Sequence, residues 1–132
     1  MQVEDKAEIT EVNIWKKSNH LKIYNIYNPP GNNPNLDVLN TTSKTLITGD
    51  FNAHHPDWGY TDINNAGHTI KDYVLSNGVE LLYNTDDTPT YLHYNGTTSN
   101  PDLTLASTDI IDRCKRNIIS DPGLGHRAII YS

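Results

Sequence analysis

Residues 21–27 read LKIYNIY and run directly into Asn28-Pro29-Pro30-Gly31. Such a run, rich in β-branched and aromatic side chains, favours an extended strand. Two consecutive prolines end it, because proline has no N–H for a ladder and fixes its own φ. In residues 9–15, Ile9, Glu11, Asn13 and Trp15 alternate with Thr10, Val12 and Ile14, the period of a second strand. Only KKSNH lies between the two runs, so they are expected to fold back on each other as a hairpin. The start of the chain is thereby committed to a sheet.

Strand and helix signals then alternate. Asn35 can cap a short helical turn through Leu36, Val38 and Leu39, and residues 45–48 (TLIT) read as a short buried strand ending at Gly49-Asp50. Residues 67–77 place Ile70, Tyr73 and Val74 at helical spacing, with Gly78 expected as a left-handed cap. Residues 79–83 give the next strand, 86–89 a turn, and 90–92 with Asn95-Gly96 an extended excursion. Residues 103–106, 113–119 and 127–131 complete the strands. No repeat, low-complexity tract or linker divides the 132 residues, so a single mixed α/β, strand-rich domain is expected over 1–132. With one Phe and one Met against 8 Tyr, its core must bury phenols whose hydroxyls need partners, which predicts modest stability.

Ten Lys and Arg face 16 Asp and Glu, a net charge of −6. That sign excludes a grip on nucleic acid through a broad basic face. It leaves open a divalent cation bridging to phosphate, or a plain acidic surface. Cys114 is the only cysteine; an intrachain disulfide and a Cys-based zinc cluster are excluded, and a reducing compartment is expected. The opening MQVEDKAEIT is charged, and no run approaches the ~20 apolar residues of a membrane span. The expectation is an intracellular, soluble chain or a fragment of one.

Candidate chemistry concentrates in Gly49-Asp50-Phe51-Asn52-Ala53-His54-His55, where a buried strand delivers its last residues to a loop. Asp50 and Asn52, two apart on extended backbone, point the same way and could grip a water, a metal or a phosphate oxygen; an Asx-type turn is the alternative. His54 and His55 are adjacent, so their side chains diverge and joint metal capture is geometrically poor. Pro56-Asp57-Trp58-Gly59 reads as a tight turn with an aromatic lid, or as simple packing. Asp102 and His126 each open an apolar strand, and on neighbouring strands the carboxylate could fix the imidazole tautomer. Nothing in the spacing shows that they meet. Tyr27, a strand-terminal phenol, could touch a phosphate or only cover the core.

In order along the chain, IYNIYNPPG, TLITGDFNAHHPDWG, TPTY, PDLTLAS and GHRAII resemble the endonuclease domain of non-LTR retrotransposons of the jockey kind, within the endonuclease/exonuclease/phosphatase superfamily. GDFN recurs across the superfamily, whereas GDFNAHHPDWG with PDLTLAS marks the retroelement branch. The resemblance implies a two-sheet α/β sandwich and magnesium-assisted hydrolysis of DNA phosphodiester bonds. It assigns Asp50 to the attacking water, Asn52 to the scissile phosphate, Asp102 to orienting His126, His126 to the charge developing on phosphorus, and Tyr27 to phosphate contact. It further implies a reverse transcriptase domain downstream in a parent polyprotein, and a nuclear location.

Two departures from the family pattern stand out. Leu124-Gly125 replace the Ser-Asp expected before the terminal histidine, with Asp121 five residues before His126. Such domains also run to well over two hundred residues, and their first half supplies an Asn and a Glu to the metal site. This chain is expected to be a partial domain, truncated at its N-terminal half, because Glu4, Glu8 and Glu11 lie in the wrong context to stand in. Asp50 and Asn52 then remain as an incomplete, weak magnesium site. Two alternatives follow: a catalytically inactive remnant acting as an interaction module, and a phosphatase or phosphodiesterase of the same superfamily. Oligomeric state and target-site preference are not legible in the sequence.

Overall fold

A computed structural model describes residues 5–41, 43–83, 91–92, 98–99, 101–114, 116–118 and 129–131. β1 (Glu8–Lys16) and β2 (Asn19–Tyr27) form the expected hairpin, in unbroken antiparallel register from Glu8 opposite Tyr27 to Lys16 opposite Asn19. The link is tighter than KKSNH implied. Lys17, at φ 56°, and Ser18 alone make the turn, and the flanking residues join the ladder. After a 3₁₀ turn over Leu36–Val38 capped by Asn35, β3 (Thr45–Asp50) runs parallel to β2. The helix α1 (Asn65–Ser76) leads to β4 (Val79–Leu81), followed by the short strands β5 (Tyr91–Leu92) and β6 (Thr98–Ser99). β7 (Asp102–Ser107) inserts antiparallel between β3 and β4, giving the sheet order β1-β2-β3-β7-β4. β8 (Arg116–Ile118) and β9 (Ile129–Tyr131) form a separate antiparallel pair, as do β5 and β6.

One face of the five-stranded sheet lies under α1. Tyr24, Ile26, Ile47, Val79, Leu103 and Leu105 of the sheet meet Ala66, Ile70 and Tyr73 of the helix, with Phe51 and Trp58 filling the end of the layer. The buried phenols find the partners that so lean a core requires. The Asn40 N–H donates to the Tyr24 hydroxyl at 3.0 Å, and the Tyr73 hydroxyl donates to Thr41 Oγ1 at 3.1 Å.

The helix starts two residues before its expected position, because Asn64 caps it through Oδ1, which accepts from the Gly67 N–H at 2.8 Å. Gly78 is not the left-handed cap. Asn77 ends the helix with extended backbone (φ −125°), and its N–H and Nδ2 both donate to the Tyr73 carbonyl, which leaves no role for a glycine there. The strand expected over 113–119 begins only at Arg116, since Ile111–Arg113 close a 3₁₀ turn first. No described helix is long and apolar enough to cross a membrane.

Candidate active site

Three candidate residues fall in one row because of strand register. Tyr27, the last residue of β2, pairs with Asp50, the last of β3, and Asp50 pairs with Asp102, the first of β7. Paired residues on neighbouring strands project to the same side, with strands about 4.8 Å apart. A phenol and two carboxylates therefore line one end of the sheet within about 10 Å, on the face away from α1. The apolar neighbours Ile26, Ile47 and Leu103 alternate to the helix side.

The loop after β3 completes the cluster. Asn52 takes a left-handed conformation (φ 45°) and folds back, so that its N–H donates to Asp50 Oδ1 at 3.1 Å. This is the Asx turn that the sequence allowed, and it does not exclude a binding role. The Asn52 amide donates to the Asn28 carbonyl at 2.7 Å; an amide NH2 has two hydrogens, so one remains for a further acceptor.

Two asparagines that sequence reasoning passed over hold this loop. Asn28 is fully buried; its N–H donates to the Asp50 carbonyl at 2.8 Å, and its Nδ2 donates to the carbonyls of Phe51 at 2.7 Å and Asn32 at 2.9 Å. Asn64 accepts from the His54 N–H at 2.8 Å and donates to the Asn52 carbonyl at 3.0 Å, joining the loop to the helix cap. Asn64 was findable, because an Asn ahead of an apolar-periodic run is an N-cap signature. Asn28 carries no comparable signal.

His54 and His55 serve different partners. His54 Nδ1 lies 2.9 Å from Asp62 Oδ2 and its ring stacks on Tyr60, whereas His55 Nδ1 accepts from the Asp57 N–H at 3.0 Å and its ring stacks on Trp58. Of the two roles open to Trp58, lid or simple packing, the structure shows packing. Its ring is 1% exposed, and its indole N–H donates to the Ala53 carbonyl at 2.8 Å, because so large an apolar surface gains most from the core under α1. His126 and Asp121 lie outside the described residues, and so does the proposed contact between His126 and Asp102.

Asp57 is tied to Lys71 at 2.6 Å on the surface, and this hydrogen bond holds its carboxyl below the usual aspartate range. A depressed pKa contributes stability above the unfolded value of about 3.9 that is lost as pH falls through the folded value. Both side chains are more than a third exposed, so the pair is expected to contribute under about 1 kcal/mol. Lys71→Met should therefore lower stability slightly at pH 7 and by less as the pH falls through the folded value, as denaturant titrations over an acid pH series would show.

Among the described residues, no group of three or more His, Cys, Asp or Glu side chains could hold a metal ion. The carboxylates of Asp50 and Asp102 and the Asn52 amide oxygen do supply the hard oxygens that magnesium prefers. Magnesium commonly keeps several waters and binds through one or two carboxylates plus substrate phosphate. The donor types are those such an ion takes. Calorimetry on the chain without nucleic acid is expected to give a dissociation constant in the millimolar range or weaker; sub-millimolar affinity would reveal a further ligand.

Residues 21–130 match a family model described as "Endonuclease-reverse transcriptase". Among solved structures, the endonuclease domain of TRAS1, a telomere-specific non-LTR retrotransposon, aligns with a TM-score of 0.74 at 18% identity. The alignment covers 93% of this chain and 60% of that one, so this chain spans less than two thirds of its structural relative. At that identity the likeness is one of fold. No curated protein matches the chain.

Proposed function

Because this chain belongs to the endonuclease–reverse transcriptase family, we propose that it is part of the endonuclease of a non-LTR retroelement and contributes to hydrolysis of DNA phosphodiester bonds. The observation that carries the reading is the row Tyr27, Asp50 and Asp102 at one sheet end with Asn52 folded against it. Phosphodiester hydrolysis needs a positioned water on one side of phosphorus and donors aimed at the oxygens that gain charge. The Asp50 carboxylate orients and deprotonates the water, and the second Asn52 N–H and the Tyr27 hydroxyl hold phosphate oxygens. Asp102 orients His126, which stabilises the charge developing on phosphorus; this pairing rests on the family resemblance.

A magnesium ion bound at the carboxylates would polarise a phosphoryl oxygen. The acidic surface makes such an ion useful, because it offsets repulsion between a chain of net charge −6 and the DNA backbone. The parent protein would carry a reverse transcriptase and act in the nucleus.

The test is single-turnover nicking of supercoiled plasmid by the purified chain in millimolar magnesium. Slow, metal-dependent nicking that Asp50→Ala removes is expected. Nicking without metal, or nicking that survives Asp50→Ala, overturns the reading, and hydrolysis of a small phosphomonoester in place of plasmid would point to a phosphatase.

A further inference from the structure

The outer strand β1 is nine residues long, contains no proline, pairs with β2 without a bulge, and has no partner on its other side among the described residues. Natural edge strands are usually shortened, bulged or covered, because an open row of N–H and C=O groups templates pairing with another strand. This one also exposes large apolar groups: Val12 is 45%, Ile14 47% and Trp15 68% exposed.

We propose that β1 pairs antiparallel with β1 of a second copy of this chain, with Val12 opposite Val12 on the two-fold axis. In that register Glu8 lies opposite Lys16, Thr10 opposite Ile14, Glu11 opposite Asn13 and Ile9 opposite Trp15, and symmetry repeats each pair. On the face that carries Val12, two opposite-charge pairs flank an apolar centre. On the other face, carboxylate–amide pairs are flanked by Ile–Trp contacts. Pairs of these kinds stabilise antiparallel strands, and like charges placed directly opposite destabilise them.

Neighbouring registers lose this match. A shift of one residue puts the two faces of the strand in opposition. A shift of two brings Glu11 against Glu11 in one direction, and in the other sets Glu11 against Trp15 and Thr10 against Lys16. The result is a closed, isologous dimer with a continuous ten-stranded sheet, in which Tyr27 of each candidate site lies one strand in from the contact, opposite Glu8.

Sedimentation of the purified chain over a concentration series tests the state, and charge exchange tests the register. A concentration-dependent dimer is expected, weakened about tenfold or more by Lys16→Glu and restored by the double variant Glu8→Lys/Lys16→Glu. In a Cys114→Ser background, Val12→Cys should cross-link on mild oxidation, because opposite Cβ atoms lie about 5 Å apart. Ile14→Cys should not, its copies being offset by four residues, about 13 Å. A monomer at every concentration, assembly indifferent to the charge exchange, or cross-linking at Ile14→Cys in place of Val12→Cys overturns the proposal.

Discussion

Replacing Asp50 by alanine is expected to lower magnesium-dependent nicking by about a hundred- to a thousandfold, the ~3–4 kcal/mol that one preorganised transition-state group typically supplies. His126→Ala should lose a similar amount. His54→Ala should stay within a few-fold of the parent, because its ring is engaged with Asp62 and Tyr60. The absolute rate of the chain is expected to be a trace, since a weakly held cation limits the fraction of competent complexes, and the deficits need not add. Plasmid-nicking rates under single-turnover conditions decide the matter. Robust activity that survives His126→Ala but not His54→Ala would mean that the adjacent histidines carry the chemistry.

Gly49→Ala should be the most damaging single-methyl change for stability, by about 3–5 kcal/mol. Gly49 sits at φ 145°, which L side chains rarely adopt, and a Cβ there would lie 1.9 Å from the Ile26 carbonyl oxygen on the neighbouring strand. Neither β2 nor β3 can withdraw without breaking the ladder that carries Tyr27 and Asp50. Gly67→Ala meets the same obstacle at the helix, 1.9 Å from the His54 carbonyl oxygen but without unfavourable φ, and should cost about 3 kcal/mol. Gly31→Ala is the control. Gly31 has φ 78° with nothing within 4 Å, so only backbone strain of about 1–2 kcal/mol applies. Urea midpoints of the three variants check the order. Because a small domain has little stability to lose, failure of Gly49→Ala to fold while Gly31→Ala folds would agree with it, and equal midpoints would refute it.

Much of the fold was legible because its signals are local. The LKIYNIY run with its proline stop, the alternation across Ile9–Trp15 and the cap at Asn35 each act within a few residues, and each element formed. The misread helix end turned on a competition within a single turn. Gly78 had the right composition for a helix cap, but the Asn77 amide reached the Tyr73 carbonyl first. For Trp58 the sequence left a lid and simple packing both open; the apolar layer that decides for packing is assembled from β2, β3, β7 and α1. Asp50 and Asn52 could be singled out from position at a strand end, but the alignment of Tyr27, Asp50 and Asp102 could not, since it depends on β7 lying beside β3 although about fifty residues separate them. Asn28 illustrates the limit most clearly, because the hydrogen bonds that tie it to the loop after β3 run to Asp50, Phe51 and Asn52, which the sequence does not mark as its neighbours.

The loop behind the strand-end row is fastened by Asn28, Asn52 and Asn64, whose carboxamides do not ionise between the acid and alkaline limits of the fold. Hydrogen bonds between neutral groups are also little affected by ionic strength, unlike ion pairs. Asn52 belongs to both frame and site, whereas the other groups proposed to act at phosphate are carboxylates, an imidazole and a phenol, all ionisable. Frame and chemistry thus answer to different variables. A pH or salt profile of nicking should read protonation of the reacting groups and counterion release from the DNA, with the shape of the cleft held constant underneath.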